Sequence, residues 1–311
     1  MSELLPEPTR LAVAICTYHR NEPLEHLLSV LHRHAGRQKE QYTLGVVVVD
    51  DSQDQQARPV VERFQGRFDL DIHYRHSGKR NISLARNLAI ETAAEVGEWI
   101  AMTDDDCEPS ERWLTELLRV QKAFAADVVT GPLLRRAPDD APNWLKTQPF
   151  LAATSFRAKT GEELEQAFTN NSMIPSRLLE DERQLRFDPA FGRIGGEDMV
   201  FYRSVAKAGY TIVFASDAQV FENEEPERLS LSYQFRRHFW LGNSSVRTMM
   251  RGGSTRIRMG VHGLATLGRA AMRPIRRMTR GESPHWLYAA ALMVEGAGKL
   301  AGVAGFRVNH K

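Results

Sequence analysis

Cysteine is scarce in this sequence. Cys16 and Cys107 are the only two in 311 residues. They supply neither a disulfide framework nor a cysteine-based metal cluster, and a reducing compartment is the simpler setting. Long apolar runs are lacking too. The nearest approach, Trp286–Phe306, is rich in Ala and Gly and carries Glu295 and Lys299, so it reads as an interfacial or packing helix and not as a span. No internal repeat and no low-complexity tract is present, which sets aside solenoids and disordered arrays. The opening MSELLPEPTR is short, polar and acidic, unlike a signal peptide. The most uneven shortage is of acid. Residues 228–281 contain none against twelve arginines, although the net charge of the whole chain is only +2. Such a segment expects an anionic partner. No recognised nucleic-acid-binding module accompanies the charge, which leaves a membrane surface ahead of nucleic acid.

What the chain does have is ordinary globular composition and a regular alternation in its first half. Leu11–Cys16, Leu44–Val49, Leu70–Tyr74 and Glu98–Met102 read as strands, with Asp127–Gly131 a weaker fifth. Between them lie stretches of helical period. Leu24, Leu27, Leu28 and Leu31 fall at i, i+3, i+4 and i+7, and further stretches cover 54–64, 83–94 and 110–124. Val46–Val49 is apolar at every position, as a strand covered on both faces should be. The alternation predicts an α/β protein with a mostly parallel central sheet flanked by helices. Loops dominate 132–165, where Pro132, Pro138, Pro142 and Pro149 occur, and strand or helix signals return in 168–174, 197–208 and 211–215.

Parallel sheets bind ligands at the carboxyl ends of their strands. The first strand runs into Thr17-Tyr18-His19-Arg20, the second into Asp50-Asp51-Ser52, and the fourth into Asp104-Asp105-Asp106. Alternation puts Asp104 and Asp106 on one side of an extended backbone, where two carboxylates suit a hard divalent cation such as Mg²⁺ or Mn²⁺. A solvated acidic turn ahead of a helix is the competing reading. Asp50 and Asp51 are candidates to accept hydrogen bonds from a base or ribose, with a plain helix N-cap by Ser52 or Asp54 as the alternative. Thr17, Tyr18 and Arg20 are candidates for the same nucleotide pocket, and Lys79, Arg80 and Arg86 for diphosphate contacts. Gly195-Gly196-Glu197-Asp198 opens a helical stretch. Its acids either complement the helix dipole or include a general base for an acceptor hydroxyl.

In this order and spacing the motifs resemble the family 2 glycosyltransferases, over roughly residues 10 to 245. The residues that carry the resemblance are Ile15–Arg20, Val49–Ser52, Ala85-Arg86-Asn87, the triplet Asp104–Asp106 ahead of Pro109 and Trp113, and Gly196-Glu197-Asp198. The resemblance implies a GT-A fold and inverting, metal-dependent, hexosyl-type transfer from a nucleoside diphosphate sugar, with uridine the expected nucleoside. It implies base contacts by Asp51, a DxD pair at Asp104 and Asp106 with Asp106 the more direct metal ligand, and Asp198 as catalytic base beside Glu197. Where many relatives carry a further metal-binding His, this chain has Glu222, an oxygen ligand. The Gln-x-x-Arg-Trp motif of processive synthases is altered, since His238 follows Arg237 and the nearest tryptophan is Trp240. One sugar per encounter is therefore expected.

The expected arrangement is a catalytic domain over 1–245, with its nucleotide-sugar half at about 10–131 and its acceptor half at about 132–245. A basic helical region over 246–311 follows, either docked on a membrane or folded back. The expected acceptor is a saccharide or lipid-linked glycan of exopolysaccharide or surface-glycan assembly, at the cytoplasmic face of the membrane. A sugar nucleotidyltransferase and a degenerate sugar-nucleotide-binding scaffold are the alternatives. The former's usual glycine-rich loop is absent from Cys16–Arg20.

Overall fold

The computed structural model describes residues 7–36, 40–152 and 158–308. Its larger sheet has eight strands in the order β3-β2-β1-β4-β9-β6-β10-β8. Here β1 is Thr9–Thr17, β2 Tyr42–Asp50, β3 Ile72–His76, β4 Trp99–Met102, β6 Val128–Thr130, β8 Glu163–Leu164, β9 Ser172–Pro175 and β10 Ile212–Phe214. Strands β3, β2, β1 and β4 run parallel, whereas β9 is antiparallel to β4 and β6. A smaller sheet joins β5 (Cys107–Pro109), β11 (Val220–Asn223) and β7 (Leu133–Arg136) in the order β5-β11-β7.

The helices are α1 (Asn21–Ala35), α2 (Arg58–Glu62), α3 (Ile82–Val96), α4 (Trp113–Phe124), α5 (Asn143–Thr147), α6 (Glu197–Lys207), α7 (Leu231–Arg251), α8 (Arg256–Met278) and α9 (Trp286–Val303). Alternate strand residues serve opposite faces of the large sheet. Leu11, Val13, Ile15, Val46 and Val48 pack in one buried cluster with Leu24, Leu27, Leu28 and Leu31 of α1 and Trp113 and Leu117 of α4. Ala12, Ala14, Val47 and Val49 pack in the other with Ala85, Ala89 and Ile90 of α3. This two-sided cover is why four valines stand in a row.

Two local departures from the sequence reading have backbone causes. Helix α2 occupies only five residues, because Gln55 lies in the left-handed region at φ 56° and the helix starts after that turn. Strand β3 starts at Ile72 because Asp71 is left-handed at φ 63°. The proline-rich region holds β7, α5 and β8 as short elements, with Pro142 just ahead of α5.

Compactness divides the described residues into two units. The first holds 7–134, 158–192 and 201–222; the second holds 135–152, 193–200 and 223–308. Within the second unit α9 packs on both α7 and α8. Helix α7 runs unbroken through residues 245 and 246, so the change in composition there is not a break in secondary structure. Among the described residues no helix is long and apolar enough to cross a membrane.

Candidate functional site

Strand β1 lies between β2 and β4, and all three are parallel, so their carboxyl ends meet at one edge of the first unit. The two aspartates after β2 divide their work. Asp50 is fully buried, and its Oδ1 accepts from the Ser52 N–H at 2.9 Å and the Ser52 hydroxyl at 2.5 Å. Its Oδ2 accepts from the Ala57 N–H at 3.0 Å and the Tyr74 hydroxyl at 3.1 Å. A carboxylate has about four acceptor sites, so none is left for a nucleotide. Expected as a ligand contact, Asp50 is instead a strut that fixes the turn after β2. Asp51 accepts three backbone N–H groups, from Lys79 and Arg80 on Oδ1 at 2.9 and 3.0 Å and from Asn81 on Oδ2 at 2.7 Å. It pins the loop that carries the exposed Lys79 and Arg80 side chains and keeps one acceptor site to spare.

The triplet after β4 is also divided. Asp105 turns inward, where its Oδ2 accepts from the Thr17 hydroxyl at 2.7 Å and its Oδ1 from Arg20 Nη1 at 3.3 Å. Burial, followed by the charge of Asp106, raises the Asp105 carboxyl to about 7, against the lowering pull of Arg20 and Thr17. Asp106 accepts from the same Arg20 nitrogen at 2.6 Å. Asp104 pairs with Arg86 at 3.3 Å. Desolvation is the largest influence on the Asp104 carboxyl and raises it, opposed by Arg86 and assisted by Asp106 and Glu222. That side chain is 41% exposed, and solvent tempers the rise.

Oxygens of Asp104 and Asp106 and the sulfur of Cys107 lie within 4.8 Å of one another. In the small sheet Glu222 stands in register opposite Cys107, and its charge is felt by Asp104 and Cys107. The carboxylates fit a hard divalent cation with oxygen ligands. Cys107 does not, because burial, then Asp104, Asp106 and Glu222, push its thiol well above the ordinary range.

Of the remaining nucleotide-side candidates, Tyr18 is 41% exposed, with Arg80 over its ring at 6.0 Å. Arg86 lies over Phe187 at 5.8 Å while reaching Asp104. Next to it, Asn87 clamps the Phe187 backbone, donating to its carbonyl at 2.9 Å and accepting from its N–H at 2.8 Å. Asn171 carries no sequence signal of its own, yet it is wholly buried. It accepts from Trp113 Nε1 at 2.8 Å and donates to the Ala218 and Pro132 carbonyls at 2.7 and 2.9 Å. It joins α4 to the loops around the small sheet. A position of this kind shows only once the fold brings 113, 132 and 218 together.

Glu197 and Asp198 belong to the second unit. They open α6, where the partial positive charge of the helix N-terminus favours carboxylates. Glu197 is buried, and Asp198 Oδ1 accepts from the Met199 N–H at 2.7 Å. The two preceding glycines are required by space and by conformation. Gly195 has φ 83° and a Cβ there would lie 2.3 Å from the Trp240 ring; Gly196 has φ 87° and would meet the Thr248 hydroxyl at 2.5 Å. Trp240 Nε1 also donates to the Ile194 carbonyl at 3.0 Å, so α7 supports the acidic turn.

A mostly parallel sheet with an antiparallel β9, an aspartate triplet after β4, and a second small sheet are the features of a GT-A fold. The family model described as Glycosyl transferase family 2 matches residues 12–182, more than half of the chain, and the chain belongs to that family. The chain is 32% identical over 246 residues to the succinoglycan biosynthesis protein ExoM of Rhizobium meliloti, covering 78% of this chain and 76% of that protein. Among solved structures it resembles S. aureus TarS in complex with UDP-GlcNAc, with a TM-score of 0.55 at 15% identity over 95% of this chain and 92% of that one. It also resembles GalNAc-T7 with UDP, GalNAc and Mn²⁺, with a TM-score of 0.53 at 12% identity over 78% of this chain and 51% of that one.

Proposed function

We propose that this glycosyltransferase moves one hexosyl group per encounter, with inversion, from a UDP-sugar to a saccharide or lipid-linked acceptor in exopolysaccharide or surface-glycan synthesis. The observation that carries the reading is the convergence of Asp104 and Asp106 at the β4 edge with Glu222 beside them. The ExoM likeness supports the polysaccharide setting, and the UDP, UDP-GlcNAc and Mn²⁺ of the structural neighbours support the donor class and the metal.

In this reading the nucleotide lies along Thr17, Tyr18 and Asp51, with Lys79 and Arg86 offsetting the diphosphate charge. Asp106, with Asp104 and Glu222, would hold Mg²⁺ or Mn²⁺, which when bound supplies positive charge to the leaving diphosphate. Arg20 and Thr17 hold Asp105 and so keep the triplet divided. Asp198 takes the proton of the acceptor hydroxyl while that oxygen bonds to the anomeric carbon. The bond from that carbon to the diphosphate breaks, and the nucleoside diphosphate departs with the electron pair. Glu197 lies buried beside Asp198 in the first turn of α6.

A thermal-shift screen of nucleotide sugars with and without Mn²⁺, combined with turnover assays, tests the reading. A UDP-sugar at 100 times its Kd should stabilise the protein by about 2.7 kcal/mol, and only with metal. Asp106→Asn should abolish that shift. Asp198→Asn should keep it while turnover falls by about a hundredfold or more. Equal loss of donor affinity in Asp198→Asn removes the base assignment. Release of pyrophosphate instead of nucleoside diphosphate makes the protein a nucleotidyltransferase.

A further inference from the structure

Helix α8 presents three distinct faces. Met259, Gly263, Thr266, Ala270 and Pro274 are buried, and Gly263 packs against Leu300 of α9. Ile257, Val261, Leu264, Met272 and Ile275 follow the same three-and-four spacing two residues out of step, which at 3.6 residues per turn turns them to the opposite side. They are exposed, from 82% for Ile257 to 45% for Met272. Along one flank of this stripe lie the exposed Arg258, Arg269 and Arg276. An ordinary surface helix buries its apolar face and shows water its polar one. Here large aliphatic side chains point away from the protein over about 30 Å of helix, and no acid occurs anywhere in 228–281 to neutralise the arginines.

We propose that this outward face of α8 docks the protein on an anionic lipid bilayer. A straight apolar stripe enters the headgroup boundary as one line, and guanidinium groups beside it lie at the depth of the lipid phosphates. Self-association fits less well. A two-fold contact through the same face sets arginine against arginine, with no carboxylate on the helix to answer it. The proposal rests on nothing assigned to the donor site, so it stands or falls separately from the transfer reaction.

Flotation of the full-length protein with phosphatidylcholine vesicles, with and without about one third phosphatidylglycerol, tests it. The wild type should bind the anionic vesicles at least about tenfold more tightly than the neutral ones and release as salt rises. Val261→Asp combined with Leu264→Asp should weaken binding to anionic vesicles by about tenfold or more. Arg269→Gln combined with Arg276→Gln should remove the preference for anionic lipid. All four positions are exposed, and unchanged melting temperatures establish that the variants are folded. The proposal is overturned if the wild type ignores anionic vesicles, or if the aspartate variant binds them as tightly as the wild type. It is also overturned if sedimentation shows a wild-type dimer that the aspartate variant abolishes, which makes the face a contact between copies.

Discussion

Asp105 is pulled in two directions. Burial and the neighbouring Asp106 charge disfavour its ionisation, while Arg20 and Thr17 favour it, and the first pair prevails with a folded value of about 7. In the unfolded chain an aspartate titrates near 3.9. Between those values the folded protein holds a proton that the unfolded chain has lost, so stability falls as pH rises and the penalty is complete above the folded value. Metal-free protein should therefore melt lower at pH 8 than at pH 5. Asp105→Asn, which keeps an oxygen for the Thr17 hydroxyl, should flatten that trend. Some slope should survive, because Asp104 is raised as well and the cluster titrates together. A variant as steep as the wild type would place the cause elsewhere. The same residues mark the reach of sequence reasoning. Strand-end acids are visible in the sequence, but their separate roles are not. Asp50 and Asp51 are adjacent and chemically identical, and only counting their donors separates a saturated strut from a loop anchor with a site to spare.

Elements were legible where burial imposed a period. Strands β1, β2 and β4 and helices α1, α3 and α4 announce themselves because each covers or fills one of two cores. Helix α2 and strand β3 are trimmed by single left-handed residues, Gln55 and Asp71, which apolar periodicity does not register. Strands β5 and β11 are too short for any period, yet their pairing brings Glu222 next to Cys107 and hence to the triplet. The turn before α6 belongs with these. Its glycines were conspicuous, but the reason for them is the Trp240 ring on a helix over forty residues later. Trp240→Phe keeps a ring and removes the donor to the Ile194 carbonyl. We expect a stability loss of about 1–2 kcal/mol and a fall in kcat with the donor-induced thermal shift intact. Lower stability with unchanged kcat would reduce Trp240 to a packing residue.

At the scale of the whole chain, charge is sorted by region, and α9 shows how a helix that looks too charged for a membrane and too apolar for water is accommodated. Its small residues admit close neighbours: a Cβ on Gly298 would lie 2.2 Å from the Phe239 carbonyl oxygen, and one on Gly242 of α7 2.0 Å from that of Glu295. Glu295, within this contact, accepts from Lys299 at 2.9 Å and lies 3.3 Å from His238 Nδ1, while Lys299 also donates to Thr266 of α8 at 3.2 Å. The two charges that argued against a span thus tie α9 to both of its partners. Burial pushes the Glu295 carboxyl up, but the hydrogen bonds from His238 and Lys299 outweigh it and the net shift is downward. A depressed carboxyl contributes stability above its unfolded value, near 4.3, and loses it as pH falls through the folded value. Glu295→Gln keeps the shape and removes the charge, leaving Lys299 incompletely compensated in a half-buried place. Urea unfolding at pH 7 should show a loss of about 1–3 kcal/mol, and the gap to the wild type should narrow as pH falls below the unfolded value and close once the folded carboxyl is protonated. A gap that persists in acid would mean that the helix is held by its glycine contacts alone and that the charges are incidental.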